Sequence, residues 1–477
     1  MEPASQRPTD AADRSPCGHP RHAFTSLNAR TREGLLVRSR RSVLKAGLAG
    51  MAGLSLGDVL RIRSQAAEQG KPSPAHKSVI LLWMTGGPSH IDTWDVKPDM
   101  PPEVRGPFGT IRTALSGVRI CEYLPKQAAM LDRMTIIRSV DARMSNHEPN
   151  QVFQTANLAA EPRINPEAEK YPAIASIIAR HRQQQNRSMP PSVVLNLQDR
   201  DHIAWGGYLG KQYDPFLGNQ ANSLFRLPRG LDQDRIQTRQ SLLKQFDRLR
   251  RNLDLSGSMA ALERFDQSAV DIVLGERARI AFDLEAEPER VRARYGDHAW
   301  ARQALLARRL VEAGVSFVTI DLSNHNSSGT WDTHGDNIPP YGGIWNGLRP
   351  LLPVFDHVLT TLVDDLGQRG MLDDVLVIAM GEFGRTPKIG TQGSSDGRDH
   401  WPVVMSMTLA GGGLRHGQVI GASERDGGQV KERPVTPGDL AATIYRHMGV
   451  PLDGTYTDNR GRPRFYIESG EPIAELI

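Results

Sequence analysis

Four polar stretches of this sequence combine carboxylates, imidazoles, a hydroxyl and an arginine at spacings that suit metal-assisted chemistry. GTWDTHGDN, residues 329 to 337, puts Asp332 and His334 on alternate positions, so both side chains face one side of an extended segment. A hard oxygen beside an imidazole nitrogen suits zinc or manganese. Asp321 and His325, just upstream, form a competing pair with wider spacing. GGPSHIDTWD, 86 to 95, offers Ser89, His90, Asp92 and Asp95, and MSNHEPNQ, 144 to 151, offers Ser145, Asn146, His147 and Glu148. The stretch from GEFGRTP to GRDHWP supplies Glu382, Arg385, Asp399 and His400.

Chemical roles follow from residue type. Asp332 and His334 are the pair these residue types mark as able to face one ion. Ser145 would act as a nucleophile if a metal lowered its pKa, with His147 as ligand or general base. Arg385, following a tight GEFG turn, is expected to clamp an anion bidentately. Plainer readings stand beside these. Ser89 and Asp92 are ordinary turn formers, Ser145 and Asn146 suit a helix N-cap, and Arg385 suits a surface ion pair.

These stretches gain weight from what precedes them. Each follows an apolar run expected to be a strand: SVILLWM (78 to 84), MTIIRSV (134 to 140), VSFVTI (315 to 320) and DVLVIAM (374 to 380). SVVLNL (192 to 197) and VVMSMTLA (403 to 410) are further strand candidates. Helical patterns lie between them: AIASIIARHR after Pro172, a segment around 348 to 370, and PGDLAATIYRHMGV from 437. Strands alternating with helices predict a mostly parallel, doubly wound sheet, whose chemistry gathers beyond the carboxyl ends of the strands. Residues 229 to 313 carry heavily charged helical segments and read as a helical insertion whose charge runs are solvated faces.

The charge balance removes other functions. Residues 1 to 67 hold 11 Lys+Arg against 5 Asp+Glu, leaving 47 against 49 in the remainder, so the basic character belongs to the leader and nucleic-acid binding loses its support. In that leader SRRSVLK, 39 to 45, precedes the weakly apolar AGLAGMAGLSLG, too short and glycine-rich for a permanent span. This resembles a twin-arginine signal, with Arg40 and Arg41 as the pair. It predicts export by the twin-arginine translocase to the periplasm or another extracytoplasmic place. Cys17 lies in the leader and Cys121 stands alone beyond it, so a mature chain could form no internal disulfide.

Taken in order, strand-GGPSHIDTWD, NHE, WDTHGDN, GEFGRTP, GRDHWP and PVTPGDLAATIYRHMGV resemble the DUF1501 proteins, a twin-arginine-exported, sulfatase-like group common in planctomycetes, within the alkaline phosphatase-like superfamily. The resemblance spans the chain from about residue 68 to 477. It implies a three-layer α/β/α sandwich with a metal centre at the sheet edge, acting as a hydrolase of phosphate or sulfate esters on a small anionic substrate such as a sulfated or phosphorylated glycan. Asp332 and His334 followed by His400 are similar to the superfamily's D-H segment and later histidine, and Asp92 is similar in placement to its early strand-end aspartate, so the resemblance implies one or two divalent ions, zinc, manganese or calcium, held by some of Asp92, Asp332, His334, Glu382 and His400. Glu382-Phe383 stands where the superfamily has an Asp-His dipeptide, and MSNHEPNQ lacks the C/S-x-P-x-R motif of sulfatases. These departures leave an alternative: a non-catalytic binding protein of the cell envelope on the same scaffold.

Overall fold

The computed structural model describes residues 76 to 145, 151 to 182, 189 to 220, 276 to 327, 329 to 335, 339 to 390 and 393 to 477. The leader, His147 and Asp336 lie outside the described residues. Ten strands matter to the site: β1 (Ser78–Trp83), β2 (Met134–Asp141), β3 (Ser192–Leu195), β4 (Phe216–Leu217), β5 (Phe317–Asp321), β6 (Val375–Met380), β7 (Gly384–Arg385), β8 (His400–Trp401), β9 (Val404–Gly411) and β10 (Gln418–Ile420). The helices among the described residues include α1 (Gln151–Thr155), α2 (Ile174–Arg182), α3 (Glu276–Phe282), α4 (Glu289–Tyr295), α5 (Ala299–Glu312), α6 (Arg349–Gln368) and α7 (Pro437–Met448).

An eight-stranded sheet runs in the order β10-β2-β9-β6-β1-β5-β3-β4. Its neighbours pair in parallel except at β9, which is antiparallel to both β2 and β6. All six residues of β1 and β6 are buried, because each strand is covered on both faces and so reads as an unbroken apolar run. Alternation splits β1 between two cores. Ile80 and Leu82 join Trp300, Leu310, Phe355 and Leu362 of α5 and α6, whereas Val79, Leu81 and Trp83 join Ile177, Leu440 and Ile444 of α2 and α7. The result is an α/β/α sandwich, as the sequence predicts.

Part of the stretch expected as an insertion belongs to one of these layers. α5 leads directly into β5 and buries Trp300, Ala304, Leu305, Leu310 and Val311. Arg308 is also buried, with its side chain 1% exposed. It is neutralised by Glu287, by Glu312 of the same helix and by Asp365 of α6, while the heavily charged segments 235 to 255 and 259 to 273 lie outside the described residues. α7 shows how local sequence fixes an element: Thr436 and Asp439 form a reciprocal capping box, Pro437 occupies the first turn, and Gly449 ends the helix at φ 69°.

Candidate metal centre at the carboxyl ends of the strands

Because β1, β2, β3, β5 and β6 run the same way, their carboxyl ends share one edge, where antiparallel β9 begins. The segments after β1, β5 and β6 and the one before β9 meet there. Trp331 N donates to Thr85 O at 3.0 Å, drawing the 329 to 335 lip onto the end of β1. The approach is close: a Cβ on Gly86, whose φ is +114°, would lie 2.3 Å from Asp332 N. A Cβ on Gly397 would lie 1.5 Å from the His334 carbonyl oxygen. Glycine at both positions is a packing requirement.

On this base Asp332, His334 and His400 converge, with ligand atoms all within 4.8 Å of one another. Asp332 Oδ1 is 3.1 Å from His334 Nε2 and 3.4 Å from His400 Nε2. The two imidazole rings lie 4.3 Å apart at 50°. Ligands at zinc–nitrogen distances of about 2.0–2.1 Å on a tetrahedron are separated by roughly 3.3 Å, so the two measured separations fit a shared ion. The other nitrogen of His334, Nδ1, faces Asp399 Oδ1 at 3.5 Å. A carboxylate behind a ligating imidazole fixes its tautomer and raises its basicity.

Arg385 does not serve the role expected of it. Its side chain is wholly enclosed, and a buried fork turned inward has nothing left for a soluble anion. Nε donates to Gly87 O at 2.9 Å, Nη1 to Arg398 O at 3.2 Å and Nη2 to Gly86 O. Nη2 also lies 2.5 Å from Asp332 Oδ1. Arg385 therefore orients Asp332. The β7–β8 ladder, with Arg385 opposite His400, brings both to that carboxylate.

Asp92 is likewise drawn away from the cluster. Arg398 donates to Asp92 Oδ2 at 2.7 Å and Oδ1 at 3.2 Å, and Ser89 Oγ donates to Oδ2 at 2.5 Å. Both members of the pair are fully buried, so Asp92 is neutralised by a guanidinium and is not one of the three grouped ligands. Glu382 Oε1 accepts from Gly86 N at 2.8 Å, and this carboxylate too lies outside the group. Phe383 packs its ring 5.0 Å from that of His400, a wall where the superfamily pattern would place an imidazole. Ser145 is buried in a turn, its N donating to Ala142 O at 3.1 Å. It leaves β2 at Asp141, whose partner is Val404, so Ser145 and His400 emerge at the same end of the β2–β9 pair.

The two members of the competing pair have other partners. Asp321 accepts from Thr85 Oγ1 at 2.6 Å and from Gln198 N at 3.1 Å, and His202 Nδ1 stands 2.8 Å from its Oδ2. His325 faces Tyr341, ring centroids 5.9 Å apart, and Tyr341 in turn lies 5.6 Å from His334. Burial and the neighbouring His202 charge lower the pKa of His325. His202 was not a candidate in the sequence, although QDRDH follows the SVVLNL strand as the other polar stretches follow theirs.

A family model described as Protein of unknown function (DUF1501) matches residues 76–477. No curated protein sequence matches this chain. Among solved structures, the PsFucS1 sulfatase from Pseudoalteromonas sp. is 14% identical, with a TM-score of 0.38 over 82% of this chain and 70% of that one. The phosphonate monoester hydrolase SpPMH from Silicibacter pomeroyi is 11% identical, with a TM-score of 0.32 over 73% and 71%. The C-terminal periplasmic domain of EcEptC from Escherichia coli, in complex with Zn, is 10% identical, with a TM-score of 0.34 over 84% and 92%. Likeness at this level passes no residue role to this chain.

Proposed function

The chain belongs to the DUF1501 family, and on that premise we propose that it is a metal-dependent hydrolase of small phosphate or sulfate esters, exported through its twin-arginine leader. The observation that carries the proposal is the approach of His334 Nε2 and His400 Nε2 to one oxygen of Asp332. Two imidazoles and one carboxylate are a three-residue set that leaves a coordination position open, the arrangement of catalytic rather than structural zinc. Zinc or manganese suits this set better than calcium, which prefers six to eight oxygens. When bound, the ion supplies Lewis-acid polarisation of the ester oxygen and lowers the pKa of a water molecule.

The chain's own residues supply orientation. Arg385 pairs with the same Asp332 oxygen that the imidazoles approach, Asp399 faces His334 Nδ1 at 3.5 Å, and the Phe383 ring lies 5.0 Å from that of His400. Ser145, or a water that the ion would activate, would be the nucleophile. A sulfated or phosphorylated glycan is the substrate class in which we place the ester.

One observation favours a second reading. With Arg385 turned inward, the anion clamp expected from the sequence is missing, which suits a non-catalytic envelope protein that binds without turning over. Metal analysis of the folded, exported protein tests the first reading: one equivalent of zinc or manganese is expected, lost in His334→Ala together with His400→Ala. Absence of stoichiometric metal in the unmodified protein sinks it. A panel of aryl phosphates, phosphodiesters and aryl sulfates separates the readings, because metal-dependent turnover abolished by His334→Ala excludes the non-catalytic one.

A further inference from the structure

We infer that His202 stands as a doubly protonated imidazolium that closes Asp321 to cations and positions the lip carrying Asp332 and His334. The inference rests on the metal reading above only for what the lip does; the state of the ring stands on hydrogen bonds. His202 ends a short turn, Arg200–His202, and its side chain is 4% exposed. Nδ1 lies 2.8 Å from Asp321 Oδ2 and Nε2 lies 2.7 Å from the Ser327 carbonyl oxygen. A carbonyl oxygen can only accept, and so can an ionised carboxylate. A neutral imidazole has one N–H and one lone pair, so either tautomer would set a lone pair against an acceptor. Two protons on the ring satisfy both contacts.

Asp321 is arranged to be the counter-charge. Besides His202 it accepts from Thr85 Oγ1 at 2.6 Å and from Gln198 N at 3.1 Å. Other charged groups around the ring are Glu382 beyond β6, His325 in the loop, and Asp199, Arg200 and Asp201 on its own turn. Burial alone would lower the His202 pKa, but the bond to Asp321, its charge, the Ser327 carbonyl and the Glu382 charge raise it instead.

Position follows from the same bonds. His202 joins the end of β5 to Ser327, and Asn196 Nδ2 fastens the same region by donating to Asp321 O at 2.7 Å and Ser323 O at 2.8 Å. The chain then enters the lip at Gly329. On its backbone side, His202 O accepts from Gln154 Nε2 at 3.0 Å, which ties α1 to the same node. His202 is thus a positioning residue: it touches none of Asp332, His334 and His400, yet it anchors the segment that delivers two of them.

Nitrogen-15 NMR of the histidine rings in the full chain, with His202 assigned by comparison with His202→Gln, reads the protonation directly. Two protonated ring nitrogens at pH 7.5 are expected, and a neutral tautomer at that pH overturns the inference. Zinc titration supplies the second readout. His202→Gln, with His202→Asn as the alternative if that variant does not fold, is expected to bind one equivalent at least about tenfold more weakly, as for other groups that orient ligands. Unchanged affinity overturns the positioning role. Asp321→Asn is expected to keep one equivalent, and its loss would make Asp321 a ligand and overturn the closure. If the unmodified protein binds no zinc, the metal reading and the positioning role fall together, while the ring nitrogens still decide the protonation state.

Discussion

Two buried clusters of charge in this molecule are built differently. In the helical layer Arg308 pairs with Glu287 at 2.8 Å, Glu312 at 2.6 Å and Asp365 at 2.9 Å. Arg369 meets Glu287 at 2.8 Å and Asp365 at 3.0 Å, and Tyr295 Oη donates to Asp365 at 2.9 Å. Every partner offered to those carboxylates is a fixed donor. At the strand ends Asp332 also receives a guanidinium, from Arg385, but two imidazoles approach the same oxygen. An imidazole nitrogen can donate or ligate, so this cluster can exchange protons for a metal ion whereas the helical one cannot. The first arrangement fastens α4, α5 and α6 together; the second offers a site.

If that distinction is right, single substitutions should affect different measurements. Arg308→Met leaves two buried carboxylates short of a partner, and breaking a buried pair from one side costs about 3–5 kcal/mol. Urea unfolding should show that loss while zinc binding by the folded fraction stays unchanged. His334→Ala should do the reverse: zinc affinity is expected to fall by about a hundredfold or more, with one of three ligands gone, and the unfolding midpoint without metal should change little. A large loss of metal-free stability in His334→Ala would mean that the strand-end cluster is another structural network. Asp399→Asn, which replaces the carboxylate that faces His334 Nδ1 at 3.5 Å and accepts from His400 N at 2.7 Å, should weaken zinc about tenfold.

The fold was readable because its signal is local. A strand covered on both faces must be a continuous apolar run, and SVILLWM and DVLVIAM are such runs. The grouping of Asp332, His334 and His400 was readable because strand polarity alone brings strand-end segments to one edge. Partner choice was not readable. Asp92 meets Arg398 across 306 positions and His202 meets Asp321 across 119, and neither separation leaves a periodic trace. Arg385 was misjudged for the same reason, since sequence tells that a guanidinium follows GEFG but not that backbone carbonyls will surround it. The charged α5 concealed a core helix because hydropathy counts Arg308 as polar whatever faces it.

The smallest expected effect separates the clusters by pH. His202 has a raised pKa in the folded protein, so the folded state holds its proton more tightly than the unfolded chain, whose histidines titrate near 6.5. Its contribution to stability is therefore complete below about pH 6.5 and is lost as pH rises through the folded value. His90, His416 and His447 are lowered chiefly by burial and have the opposite sign: their contribution is lost as pH falls below about 6.5, and above it they are flat. The Cys121 thiol, pushed up to about 12 by burial, removes stability only as unfolded thiols ionise, near pH 8.5. Between pH 6.5 and 8 the arginine pairs of the helical layer do not titrate. Urea midpoints measured across that window should fall gently in the unmodified protein and stay level in His202→Gln. An equal slope in both would assign it to another group and leave the two clusters alike in their response to protons.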